Sequence, residues 1–264
     1  MRFLVTTLLI LFTPLSLVWA APYAAILIDA ETNEVIYEEN STTRLHPAGL
    51  TKLMTLYAAF DAIETGLIDL DEQVRISLKS YGEPPVKLGL REGQRIKLRY
   101  LLRASGVKGA NDASTAIAEG IDGTEEAFAR RMNGISSELG LSRSSWVNAH
   151  GLTEKGHLST AHDIAILFAA HKRDFPAYFN LFRRVRTHAG LREVENSAAR
   201  LLTEIDGIRG AKYGYSRAAG FNGAVYVQVR DKKFVAVIFG AMGRASLTNK
   251  MQTLINKGIK AEAR

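Results

Sequence analysis

"HPAGLTKLMTLYAAF", residues 46–60, decides how this chain is built. At 100° per residue its apolar side chains spread almost all round the axis, the mark of a buried central helix rather than a surface one. The pattern predicts a helix over 50–65, closed by Gly66. Two residues at its start are out of place in a plain core helix. Lys52 puts an ammonium into the first turn, and Gly49, one turn earlier, has no side chain at all.

On the N-terminal side, "YAAILIDAETNEVIYEEN" (23–40) alternates on both sides of the polar turn Glu31-Thr32-Asn33-Glu34 and reads as a hairpin. Beyond the helix, "QVRIS" is a short strand candidate, followed by a loop through Pro84-Pro85. Residues 97–172 read as mainly helical: Thr124 is placed to cap 125–139, with Gly140 as the stop. Thr160-Ala161-His162-Asp163 fits a capping box before 161–171. From residue 211 the strand pattern returns. "GFNGAVYVQVRDKKFVAVIFGAM" forms a second hairpin around Arg230-Asp231-Lys232-Lys233, and "LTNKMQTLINKG" closes as an amphipathic helix with Gly258 just past its end. Strands at both ends with helices between them predict a mixed α/β fold of the α+β type. Its antiparallel sheet is built from both termini, with a helical region inserted over about residues 70–200.

Residues 1–20 read as a secretory signal peptide: Arg2, an apolar run from Phe3 to Leu17, and small residues at 18 and 20 before Ala21. The segment is short for a spanning helix, and no later run approaches membrane length. The expected product, residues 21–264, is periplasmic or otherwise exported, with no stable membrane insertion after cleavage. With 264 residues, 47% hydrophobic and 23% charged, the composition is that of an ordinary globular domain. There is no cysteine, which excludes disulfides and thiolate chemistry. The net charge of +7 suits contact with anionic polymers. The basic residues are interleaved with acidic ones and show no arginine stripe, so nucleic acid is not expected as a partner.

Three short stretches stand apart from the core pattern: Gly49-Leu50-Thr51-Lys52, "KGANDA" (108–113) and "KYGYSRAAGFN" (212–222). Together with "PAGLTKLMT", "WVNAHGL" (146–152) and "DGIRGAKYGYSRAAGFN" (206–222), they resemble the serine D-alanyl-D-alanine carboxypeptidases, the low-molecular-mass penicillin-binding proteins. The resemblance runs in order from about residue 22 to about 258. It implies the DD-peptidase/β-lactamase-like fold, with helices on both faces of the sheet. It also implies a site in three parts: Ser-x-x-Lys at the start of the buried helix, Ser-x-Asn on a loop of the helical part, and Lys-Thr-Gly on a strand edge. Lys52 then matches the general base, whose pKa burial beside other cations would depress. Asn111, Lys212 and Gly214 match the other retained positions, and the backbone N–H groups of Gly49 and Tyr215 match the oxyanion hole. The extra C-terminal β-domain and amphipathic anchor of some members are not expected, since the sequence stops at Arg264.

The hydroxyls are what this sequence lacks. Gly49 stands at the nucleophile, Gly109 at the second-motif serine, and Tyr213 at the threonine. A glycine cannot form an acyl-enzyme, and losing the nucleophile of a serine hydrolase costs on the order of 10⁶ in turnover. The expectation is a protein of peptidoglycan metabolism that is impaired or inactive, binding a stem peptide between Lys52 and Lys212 or contacting a cell-wall protein. The alternative is an active carboxypeptidase with a non-standard nucleophile. Ser105, in the literal Ser-x-x-Lys of Ser105-Gly106-Val107-Lys108, is the first candidate. A β-lactamase would need the same serine, and no Glu-x-x-Leu-Asn stretch is present. His150, His157 and His162 come with no carboxylate motif, so neither metal nor cofactor is expected. The triple change Gly49→Ser, Gly109→Ser, Tyr213→Thr is expected to restore penicillin acylation if the scaffold is intact. The oligomeric state is left open.

Overall fold

The computed structural model describes residues 21–261; the signal segment expected at 1–20 lies outside them. The first hairpin forms as read, β1 (Ala24–Asp29) against β2 (Val35–Glu39). Asp29 Oδ1 accepts from the N–H groups of Glu31 and Thr32 and so shapes the turn between them. After a single 3-10 turn over Ala48–Leu50 comes helix α1 (Thr51–Glu64). Every α1 residue from Thr51 to Phe60 is buried, Lys52 included, which is why its apolar pattern runs all round.

The region between α1 and the C-terminal strands is helical with two small sheets. Strand β3 (Gln73–Arg75) pairs with β4 (Arg95–Lys97), α2 (Leu78–Gly82) lies between them, and α3 (Leu98–Arg103) follows. A π-turn (Ala104–Lys108) leads into α4 (Asn111–Asp122) and α5 (Glu125–Glu138). Thr124 caps α5 by accepting from Ala127 N at 3.1 Å. The stretch 97–172 is mainly helical, as read; the exception is 139–160, an irregular loop held by single bridges, Leu45 to Ser159 and Ser145 to Leu158. Thr160 then caps α6 (Ala161–Asp174) through Asp163 N at 3.0 Å. The reciprocal half of the capping box is replaced: Asp163 Oδ2 accepts from Arg143 N and the Ser144 hydroxyl, tying the loop to the helix start.

Strands β5 (Arg186–His188) and β6 (Glu193–Glu195) form a hairpin, and α7 (Ala199–Glu204) follows. Neither was apparent in the sequence, because each is too short to show a period. The chain then runs through β7 (Ile208–Ser216), β8 (Gly220–Val229), β9 (Lys232–Ala241) and α8 (Arg244–Ala261). The main sheet is antiparallel with order β2-β1-β9-β8-β7, so N- and C-terminal strands do share one sheet, and β7 is an edge. Helices α1 and α6 cover one face; α7 and α8 cover the other.

One expectation is overturned here. Gly258 does not follow the last helix but lies inside α8. A Cβ on it would stand 2.7 Å from Leu27 Cδ2, so this glycine lets the helix lie close on β1 instead of ending it.

Candidate active site

The start of α1 is where sheet and helical region meet. Its three polar side chains each hold the loop that contains "WVNAHGL". Thr55 Oγ1 donates to Ala149 O at 2.6 Å, and His157 Nε2 lies 2.8 Å from Thr51 Oγ1. Val147 N donates to His157 Nδ1, so the ring proton sits on Nε2 and is given to Thr51. Lys52 Nζ donates to His150 O at 2.5 Å and to Asn111 Oδ1 at 2.8 Å. Burial pulls the Lys52 pKa down to about 7, the charges of Glu83 and Asp112 opposing it. A neutral amine is therefore within reach near neutral pH.

Asn111 opens α4 and spans the site. Its Nδ2 donates to Pro84 O and its backbone N–H to Val86 O, which draws the 84–86 loop over the cleft. The next residue, Asp112, is fully buried and accepts from Leu88, Gly89 and Leu90 N–H groups, fixing the rest of that loop.

A cleft of about 240 Å³ results, lined by Gly49, Lys52, Gly109, Asn111, Tyr213, Gly214 and Tyr215 together with Lys108, Ser197 and Arg244. Lys212 is not among the lining residues. It is fully buried, and its Nζ donates to Ser105 O and Gly106 O, both at 2.7 Å. These carbonyls close the π-turn where Gly109, at φ +78°, ends the helical path, and they need donors from elsewhere. Burial, then the nearby Lys52, holds the Lys212 pKa well below that of an ordinary lysine. The cationic groove expected between Lys52 and Lys212 is thus built differently: Lys108 and Arg244 supply its accessible charge.

Tyr213 lies half-buried on the edge strand. The Arg244 guanidinium sits 4.1 Å from its ring centroid and donates to Ser197 O at 3.2 Å. Ser197 Oγ itself has no hydrogen-bond partner among the described residues and lies 3.5 Å from where a Cβ on Gly109 would stand. At Gly49 the strand has closed in: a Cβ there would lie 2.6 Å from Tyr213 O and 2.9 Å from Gly214 Cα. Ser105, the candidate substitute nucleophile, is fully buried and bonded to Ser114 Oγ at 2.8 Å, away from the cleft lining.

The profile of the D-alanyl-D-alanine carboxypeptidase family matches residues 18–243. The chain belongs to this family. Among its relatives is D-alanyl-D-alanine carboxypeptidase DacF of Bacillus subtilis, 33% identical over 225 residues, covering 83% of this chain and 57% of that protein. DacC of Escherichia coli is 28% identical over 243 residues, covering 90% and 61%. The chain thus spans about three-fifths of the length of these relatives. Penicillin binding protein 6B from Escherichia coli superposes with a TM-score of 0.82 at 28% identity, covering 90% of this chain and 77% of that one. Penicillin binding protein 5 from Haemophilus influenzae gives 0.86 at 24%, covering 92% and 72%, a likeness of fold.

Beside this family site lies a buried group that the sequence did not suggest. Glu83, Glu125 and His150 bring one ligand-type atom each to within 4.8 Å of one another, so carboxylates do accompany a histidine here. They come from three separate segments, which is why no spacing revealed them. Leu152 N donates to His150 Nδ1 at 3.1 Å, which places the proton on Nε2, 3.6 Å from Glu83 and 3.5 Å from Glu125. A metal at Nε2 would have to displace that proton and break the Leu152 bond. Glu125 is further engaged by Ala149 N and Lys79, and Glu83 by Thr115. Burial, then Lys52, lowers the His150 pKa to about 3 and keeps the ring neutral. Ser197 and Arg244 were also missed: each lies in a stretch with no local motif.

Proposed function

We propose that this chain holds the carboxylate-bearing end of a peptidoglycan stem peptide outside the cytoplasm without cleaving it. The observation that carries this reading is the backbone contact at Gly49. Tyr213 O and Gly214 Cα occupy the space into which a nucleophile's side chain would project. The rest of the cleft is kept. Lys52 and Asn111 remain bonded to each other, and Lys108 and Arg244 line the cavity with positive charge. Its 240 Å³ is below the roughly 300–1,000 Å³ of drug-sized pockets, which suits a short charged chain end. An Arg–carboxylate contact is short and bidentate, the stronger kind of hydrogen bond. The Ala48 backbone, at φ +49°, keeps a strained conformation beside the missing nucleophile, consistent with descent from a working site.

The test is calorimetric titration of the mature protein with a D-alanyl-D-alanine-terminated stem peptide, with mass spectrometry of the recovered peptide. Saturable binding of intact peptide, weakened about tenfold by Arg244→Gln, supports the reading. Release of D-alanine would return the chain to the active enzymes. A second reading, docking of a cell-wall protein, draws on Val86 and Tyr215, 47% and 54% exposed at the cleft mouth. No affinity for the stem peptide, together with a protein that co-purifies with the chain but not with its Tyr215→Ser variant, would favour it.

A further inference from the structure

A second cavity, of about 180 Å³, lies between α3 and the 177–184 segment and shares no lining residue with the cleft. It reaches α1 at Phe60, eight residues along the helix from Lys52, or ~12 Å at the helical rise. Three arginines line it, Arg99, Arg103 and Arg184, together with Leu70, Leu102 and Leu181. Phe60 and Tyr178, stacked at 4.7 Å and 11°, form one wall.

The charges in this cavity are poorly answered. Arg99 pairs with Asp71 at 2.7 Å, but Asp71 is shared with Lys97, and Arg99 Nε is buried with no partner. Arg103 donates only to His188 O, at 3.2 Å, and lies over the Tyr100 ring. Arg184 reaches only Thr187 Oγ1 and Asn180 Oδ1, both at 3.3 Å. Neither Arg103 nor Arg184 has a carboxylate partner among the described residues. Glu64, the other acid nearby, accepts from Tyr178 Oη. Burial and the charge of Arg103 both lower the Arg184 pKa, the sign of two cations held together without an anion.

We propose that this arginine pocket binds a phosphate group. Two uncompensated charges match the ≈ −1.5 to −2 of a phosphate monoester at neutral pH, where a carboxylate would answer only one. The guanidinium forks offer parallel N–H pairs suited to its oxygens.

The test is titration of the isotopically labelled mature protein with inorganic phosphate at constant ionic strength, with chloride and acetate as controls. Saturable amide shifts confined to the α3 and 177–184 backbone are expected. Arg103→Gln and Arg184→Gln should each weaken binding about tenfold. Arg184→Lys, which keeps the charge and removes the fork, covers the case in which the glutamine variant does not fold. Vesicles of phosphatidic acid against phosphatidylcholine sort the source: pelleting with the acidic vesicles assigns the phosphate to a lipid headgroup, and saturation by free phosphate alone assigns it to a soluble ester. Shifts that never saturate, that chloride or acetate reproduces, or that persist in the arginine variants would overturn the proposal.

Discussion

Gly49 and Gly214 pack backbone against backbone: a Cβ on Gly214 would stand 2.5 Å from Gly49 N, and one on Gly49 would stand 2.9 Å from Gly214 Cα. The same Gly49 Cβ would lie 2.6 Å from Tyr213 O. Both obstacles are main chain in a paired strand, so no rotamer change relieves them. Gly49→Ser is therefore expected to force β7 away from α1 and to destabilise the fold by about 1–3 kcal/mol. Urea unfolding checks this; a neutral substitution would show that the strand yields freely.

The same contact revises the expectation for the triple variant Gly49→Ser, Gly109→Ser, Tyr213→Thr. Gly109 sits at φ +78°, where a side chain costs about 1–2 kcal/mol. Tyr213→Thr removes the ring on which Arg244 rests. The folded triple variant should remain unreactive to penicillin, read as no change in intact mass. An adduct would mean that β7 withdraws when a side chain demands it.

Asp112 holds the cleft loop from beneath. It is fully buried and accepts from Leu88, Gly89, Leu90 and Ala113 N–H groups. Asp112→Ala leaves these donors unanswered and should cost about 3 kcal/mol or more, while Asp112→Asn, which keeps one acceptor, should cost less. Equal losses in chemical unfolding would contradict the donor accounting.

Stability should fall as the pH drops below 6.5. Burial lowers the pKa of His150 to about 3, and of His157 and His171 to about 4. Between those values and the ordinary 6.5 the unfolded chain binds protons that the folded one does not, so acid favours unfolding. His171 is fully buried among Tyr57, Phe60 and Phe182 rings and donates to Leu53 O at 2.9 Å. His171→Phe should flatten this slope in unfolding curves taken from pH 6.5 to 4. An unchanged slope would mean that His171 is not the neutral group its burial makes it.

The opposite end of the scale tests Lys52. With its pKa near 7 in the fold and about 10.4 in the unfolded chain, the unfolded state binds more protons between those values. Stability should rise with pH from 7 to 10, and Lys52→Met should remove part of that rise. Lys212, shifted the same way, accounts for slope that remains.

Hairpins, the buried helix and the Thr124 and Thr160 caps were legible because period and cap chemistry are local. Gly258 was misread because a glycine that ends a helix and one that lets it approach a strand are the same letter. Lys212 lay in the right motif but faces the π-turn carbonyls, a demand created by residues a hundred positions away. The meeting of Glu83, Glu125 and His150, and of Ser197 with Arg244, is likewise long-range. The pattern of a single chain does not record which distant loops arrive together.

With no side chain at Gly49, this cleft is expected to form no acyl-enzyme. The direct test is the intact mass of the folded protein, residues 21–264, after incubation with a reactive penicillin. An unchanged mass is expected, since Gly49 has no side chain and Ser105 is buried against Ser114. A stoichiometric adduct would contradict it, and peptide mapping of that adduct would name the nucleophile.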